Sequence, residues 1–390
     1  MDVVDIILIA VLIGALISGL TRGFFASIGT LIGLIAGAAA AYWLVPLLGS
    51  VIPAPGWRAF TTVFASIALL VLGAWGGAAL GLLVRRGVDR TPLRPFERVL
   101  GGAATLVIAA LTLSLVGSGI AAVGIPTVSS AVASSRVLTT IENLTPEPVA
   151  AGIAQLRADM LDGGLPSFGL ALPGVAASPQ PPVNLADPAL SSAARSVARI
   201  SGTAYACGVS VTGSGFVVAP GRLLTNAHVV AGVDRPVVEL PGQTAQEGRV
   251  VYFDPEKDLA VVAVPGLRAA SLRLTPTLPA GSSAVVEGYP YGGPFTVTPA
   301  RVLSTGSVSV PDIYNKKDAV RSVYALQAQV KPGNSGGPLL TAQGTVAGLV
   351  FARDENDSSR GYAETSDQIA PVVREASRLQ TPVAPTQCAA

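Results

Sequence analysis

The chain contains one histidine, His228, in the stretch "LLTNAHVV" (223–230). Thirty positions on, "DPEKDLAVV" (254–262) places Asp258 just ahead of an apolar run. A further 77 positions on, "KPGNSGGPLL" (331–340) sets Ser335 among glycines and prolines. A serine hydroxyl attacks a carbonyl when a neighbouring base takes its proton. A carboxylate behind that base fixes the imidazole tautomer and stabilises the imidazolium. Taken singly, each residue has an ordinary reading: a structural histidine, a turn aspartate, a serine in a glycine loop. Together and in this order they predict acyl transfer, with Ser335 as nucleophile, His228 as general base and then acid, and Asp258 as its orienter. "PGNSGG" lets the backbone bend until the N–H groups of Gly333 and Ser335 point at one spot, where the negative oxygen of a tetrahedral intermediate sits. Gly336 and Gly337 are expected to leave room for substrate. One imidazole is too few for a histidine-rich metal site, and this chemistry calls for no metal and no organic cofactor.

The elements that must position these groups read as β structure. From about residue 196, short apolar runs such as "GSGFVV", "RLLT", "LAVVAV", "SAVVEG" and "TVAGLVFA" alternate with Gly and Pro. That texture predicts an antiparallel barrel or sandwich rather than an α/β sheet. The last element, 366–379, carries Ile369, Val372, Val373, Ala376 and Leu379 at helical spacing, so an amphipathic helix closes the domain.

Ahead of this region the chain is too apolar for an ordinary soluble enzyme. It is 50% hydrophobic and 13% charged, with a mean hydropathy of +0.56. No Asp, Glu, Lys or Arg occurs from Phe24 to Trp57, from Ala59 to Val84, or from Val99 to Ser135. A bilayer core needs roughly 20 apolar helical residues, which places membrane spans at about 24–45, 60–84 and 99–121, with 3–20 as a fourth. The acidic start "MDVVD" argues against a signal peptide. Five arginines in 85–98 make that loop cytoplasmic by the positive-inside rule, so everything after the fourth span is expected outside the cytoplasm. Glycines at four-residue spacing, 29/33/37 and 73/77/81, allow close helix packing. A net charge of +2 and four scattered lysines argue against nucleic acid as a partner. The expected organisation is a transmembrane part (1–121), a linker rich in Pro, Ser and Gly (122–195) with one helix over 147–161, and a β domain (196–390). Two cysteines, Cys207 and Cys388, fit one disulfide outside the cytoplasm, the other reading being two unrelated thiols. Closing so long a loop contributes up to about 5 kcal/mol in the chain-entropy model.

"TNAHVV", "DLAVV" and "GNSGGPL" resemble the three catalytic blocks of trypsin-like serine proteases, especially the HtrA-like branch, and "GSGFVV" resembles the strand ahead of the histidine block. The opening "DIILIAVLIGALISGLTRGF" resembles the colicin V production family. The combination, with one cysteine pair, is similar to the actinobacterial membrane-anchored acid-resistance serine proteases. That resemblance implies a four-helix transmembrane bundle followed by a chymotrypsin-like double β-barrel with a C-terminal helix. It implies His228, Asp258 and Ser335 as catalytic residues, and Gln329, six before the nucleophile, near the floor of the substrate pocket. Eleven residues follow Leu379, so regulation by a PDZ domain is not expected. The expected partners are protein or peptide substrates of the cell envelope and membrane lipid, with the chain's own linker as a site of self-cleavage. A rival reading makes the membrane part a scaffold or transporter and the β domain a binding module. The His–Asp–Ser set and the charge-free spans argue against it.

Overall fold

The computed structural model describes residues 3–51, 55–88, 94–122, 132, 135–160, 165–170, 184–185, 187–204, 209–385 and 387–389. These fall into two compact units, 1–114 and 115–390.

In the first unit, α2 (Phe24–Val51), α3 (Pro55–Val88) and the start of α4 (Arg94–Ala122) fall largely on the charge-free runs, and α1 (Val3–Arg22) covers the fourth apolar stretch. Among the described residues, Val3–Arg22 and Arg94–Gly117 are long and apolar enough to cross a membrane, with shorter apolar stretches at Phe24–Gly37 and Val71–Arg85. Leu72, Trp75 and Leu80 are all exposed, an outer surface suited to lipid rather than water. The two glycine stripes face one another. A Cβ on Gly33 would run into the Gly73 carbonyl, and one on Gly77 into the Gly29 carbonyl, so α2 and α3 meet backbone to backbone.

The second unit begins with two helices where a linker with one helix was expected. Ser135 caps α5 (Arg136–Leu144) by accepting from Leu138 N, and α6 (Glu147–Met160) follows close to the predicted helix. Neither hangs free. Arg199 of the β region lies 3.8 Å from Glu142 of α5, and Ala154 of α6 is buried. Next come a two-residue strand, β1 (Ser167–Phe168), and α7 (Pro188–Ala194) with Asp187 as N-cap. Leu190 and Ala193 of α7 enter the main core, ahead of residue 196.

Thirteen further strands build two sheets. The first runs β6-β5-β2-β3-β4-β8-β7, from β2 (Val197–Ala204), β3 (Val209–Ala219), β4 (Arg222–Thr225), β5 (Val237–Glu239), β6 (Gln246–Glu247), β7 (Arg249–Asp254) and β8 (Leu259–Ala263). The second runs β1-β13-β12-β9-β10-β11-β14, from β9 (Ser283–Gly288), β10 (Thr296–Pro311), β11 (Asp318–Gln327), β12 (Pro338–Leu340), β13 (Val346–Asp354) and β14 (Arg360–Thr365). Apart from β1, the pairings between these strands are antiparallel among the described residues. A β13–β14 pairing closes the second sheet into a barrel, whereas the first is a curved sheet with no closing ladder among the described residues. Phe216 and Leu224 from the first sheet share one buried cluster with Val285, Leu340 and Leu349 from the second, so the two pack as one body. The closing helix, α9 (Ser366–Glu375), is capped by Thr365 and lays Ile369 and Val372 into that cluster, with Ala376, Val373 and Leu379 as predicted. Beyond it the tail docks on the first sheet: Val383 N donates to Val250 O at 2.8 Å.

One core residue carries a pH dependence. Glu287 of β9 is fully buried, and neither carboxyl oxygen has a hydrogen-bond partner among the described residues. Burial pushes its pKa up from 4.5 to about 8. Between those values the folded chain holds a proton that the unfolded chain has released. Stability therefore falls as pH rises through that window and is greater in acid. Glu287→Gln is expected to flatten this slope, removing a loss on the order of a few kcal/mol between pH 5 and pH 8. Melting temperatures of both proteins at the two pH values check it. Parallel pH dependences would contradict it.

Candidate active site

His228 sits on α8 (Ala227–Val230), a single turn that follows β4 directly and delivers the imidazole to the edge of the first sheet. Asp258 lies in the tight β7–β8 turn at φ +52, a left-handed conformation uncommon for a residue with a side chain. Its carboxylate grips the histidine twice: Oδ1 accepts from the His228 backbone N at 2.9 Å, and Oδ2 lies 2.8 Å from Nδ1. Asn226 holds the Asp258 carbonyl from behind at 2.9 Å. Asp258 is 2% exposed, so this pairing is shielded from solvent. A proton on Nδ1 shared with the carboxylate leaves Nε2 as the basic nitrogen.

Ser335 comes from the other sheet, in the loop before β12, and is 3% exposed. Its Oγ donates to the Phe351 carbonyl of β13 at 3.4 Å, and no hydrogen bond joins it to His228. Both residues, with Asp258 and Gly333, line one cavity of about 640 Å³. The structure thus joins His228 to Asp258 and places Ser335 on the same cavity.

The loop carrying Ser335 is pinned from several sides. Ser214 Oγ donates to the Gly333 carbonyl at 2.7 Å, and Ser214 N donates to the Ser335 carbonyl at 2.7 Å. Gly333 has φ +91, and an added Cβ would strike the Tyr289 carbonyl. The N–H groups of Gly333 and Ser335 have no acceptor among the described residues, which leaves both free to donate to a ligand. Gly336 and Gly337 do not open space for substrate, contrary to expectation. A Cβ on Gly336 would meet the Ser214 carbonyl and Thr225, and one on Gly337 the Glu287 carbonyl. They allow the loop to lie flat against both sheets.

Gln329 is the second correction. It is exposed and does not line the cavity, while its neighbours Ala328 and Val330 are buried in the second sheet's core. Val330 N donates to the Ala328 carbonyl at 3.1 Å, a three-residue turn with Gln329 at its centre, and the amide faces solvent. Cys388 is disulfide-bonded and lines the cavity; Cys207, the chain's other cysteine, lies outside the described residues. Two features escaped the sequence. Pro166, Ser167 and Phe168 line the cavity too, with β1 running parallel to β13. Arg321 of β11 also reaches it, 3.7 Å from buried Glu364. Burial raises the Glu364 pKa, Arg321 opposes the shift, and Asp258 adds to it.

Two antiparallel β sheets with a His–Asp pair on one and a serine between glycines on the other make this a trypsin-like serine protease. Residues 213–349 match the trypsin-like peptidase domain family, and residues 4–146 match the colicin V production protein family. The chain is 35% identical over 348 residues to serine protease Rv3671c (MarP) of Mycobacterium tuberculosis, covering 87% of this chain and 86% of that protein. It belongs to the family of that protease. The crystal structure of the active form of Rv3671c protease superposes with a TM-score of 0.54 at 35% identity, over 58% of this chain and all of that one. The putative serine protease HhoB of Synechocystis is 37% identical over 159 residues, 39% of this chain and 37% of its own length.

Proposed function

We propose that this protein is a multi-pass membrane protease whose catalytic domain lies outside the cytoplasm and hydrolyses cell-envelope proteins through His228, Asp258 and Ser335. The observation that carries the reading is the doubly held imidazole on the same cavity as Ser335. In turnover the Ser335 hydroxyl swings from the Phe351 carbonyl to His228 Nε2, gives up its proton and attacks the scissile carbonyl. The oxyanion that forms takes hydrogen bonds from the N–H groups of Gly333 and Ser335, and His228 then protonates the leaving amine. The imidazole must be neutral to begin this cycle. Acid therefore lowers the rate even as protonated Glu287 favours the fold. A role in acid survival, implied by the family, then rests on maintenance of the envelope rather than on faster turnover in acid. A Cys207–Cys388 bridge would fasten the tail beside the site. The segment 166–168 on the cavity supports the linker as a substrate of its own active site.

A fluorophosphonate probe applied to the full-length protein in detergent, with and without reductant, tests the core of this. Intact-mass spectrometry should show one adduct on the wild type and none on Ser335→Ala. An adduct on both removes Ser335 as the nucleophile. Linker fragments present only in the wild type would support self-cleavage, and identical fragments in both would exclude it. Proteinase K added to intact cells should digest the catalytic domain, and protection there would overturn the topology.

Gly333→Ala adds a further expectation. The left-handed φ and the contact with Tyr289 force the loop to shift, turning one donor away from the oxyanion. A fall in kcat of about 10² to 10³ is expected, with KM little changed. Steady-state hydrolysis of labelled casein measures it.

A further inference from the structure

The two halves of the site come from different sheets, and a misplacement of about 1 Å between such halves can cost 10²-fold in rate. What holds the Asp258 turn against the second sheet therefore matters to catalysis. Arg321 of β11 is 1% exposed, yet its guanidinium bridges the two. Nε donates to the Glu256 carbonyl at 2.9 Å, two residues before Asp258, and Nη2 donates to the Pro311 carbonyl of β10 at 3.1 Å. Nη1 faces the buried Glu364 carboxyl of β14 at 3.7 Å. The guanidinium also lies over the ring of Phe351, 5.8 Å from its centroid, and it is the Phe351 carbonyl that accepts from Ser335. A second, backbone link runs alongside, from Ile313 N to the Pro255 carbonyl at 3.2 Å.

We propose that Arg321 is a positioning residue for the hydrolysis, tying the turn that carries Asp258 to the strand beside Ser335 so that acid, base and nucleophile share one frame. The role rests on the triad proposed above. Only a planar fork suits it: arginine donates in several fixed directions at once, while a lysine ammonium is a point charge on a flexible stem. On its own sheet the turn is held by Asp254 Oδ1, which accepts from Glu256 N and Lys257 N, and by Asn226, which donates to the Asp258 carbonyl; Arg321 ties the same turn to the second sheet through the Glu256 carbonyl.

The test compares full-length wild type, R321M and R321K in detergent, with active sites counted by endpoint fluorophosphonate labelling and turnover followed on fluorescein-labelled casein. Expected for R321M is a fall of roughly 10- to 100-fold in kcat per active site, with KM within about threefold. R321K keeps a buried cation opposite Glu364 and regains part of the loss, staying several-fold below wild type. A per-site kcat for R321M within twofold of wild type, or a loss confined to KM, overturns the proposal. If R321M does not fold, R321K decides alone, and wild-type kcat in it overturns the proposal equally. Ser335→Ala run beside them separates the two claims. Hydrolysis that survives in Ser335→Ala removes the triad, whereas an inert Ser335→Ala beside a fully active R321M removes only the role of Arg321.

Discussion

Ser335→Ala should leave the full-length protein folded and lower kcat by about 10⁶, with His228→Ala costing a similar factor and the double variant little more. The non-additivity follows from the shared task. Without the hydroxyl the base has no proton to take, and without the base the hydroxyl stays a poor nucleophile donating to the Phe351 carbonyl. On the proposed mechanism, what remains comes from the N–H groups of Gly333 and Ser335, which would polarise a bound carbonyl with either partner missing. Casein hydrolysis over hours, at protein concentrations fixed by absorbance, measures these rates. Losses in the two single variants that multiplied in the double would show the residues acting independently and would dissolve the relay. Since the Ser335 hydroxyl makes one hydrogen bond among the described residues, at 3.4 Å, its removal should shift the melting temperature by no more than a degree or two.

Asp258→Asn is expected to lower kcat by about 10⁴ while KM stays within a few-fold. Asparagine tolerates the left-handed φ of +52 at this position, so the turn keeps its shape and the loss is one of hydrogen-bond polarity. The carboxylate accepts twice from His228, at the backbone N and at Nδ1. An amide has one oxygen for these two donors. If its oxygen stays on the backbone N–H, its NH₂ faces Nδ1 and drives the imidazole proton to Nε2, the nitrogen that must be free to act as base. The fall should therefore appear in kcat and in the rate of fluorophosphonate labelling together. A variant that labelled at the wild-type rate would show that Asp258 plays no part in orienting the base.

Much of this site was legible because its parts are local. "TNAHVV" places its histidine by putting a strand directly before a helical turn, and the glycines around Ser335 announce a loop in which side chains would not fit. The charge-free runs mark most of α2, α3 and α4, since a gap in charge is a property of contiguous sequence. The helix at 366–379 shows its buried face through three- and four-residue spacing, and each of its five apolar residues meets the core. α5 was also readable in principle, from Ser135 as a cap and apolar residues at 137, 138, 141 and 144, but it lay in a stretch whose composition reads as spacer.

By itself the sequence determined which residue types are present for chemistry, in what order they occur, and which stretches are apolar helix or strand, because those depend on residue type and short spacing. Only the tertiary structure decided how the groups meet. It set Gln329 outward and used Gly336 and Gly337 for backbone contact, laid 166–168 beside the cavity, and brought Arg321 within reach of a carbonyl 65 positions away in sequence. Such contacts arise from the closure of one sheet and its packing on the other. Pairings across that distance leave no periodicity in a single chain for the eye to find.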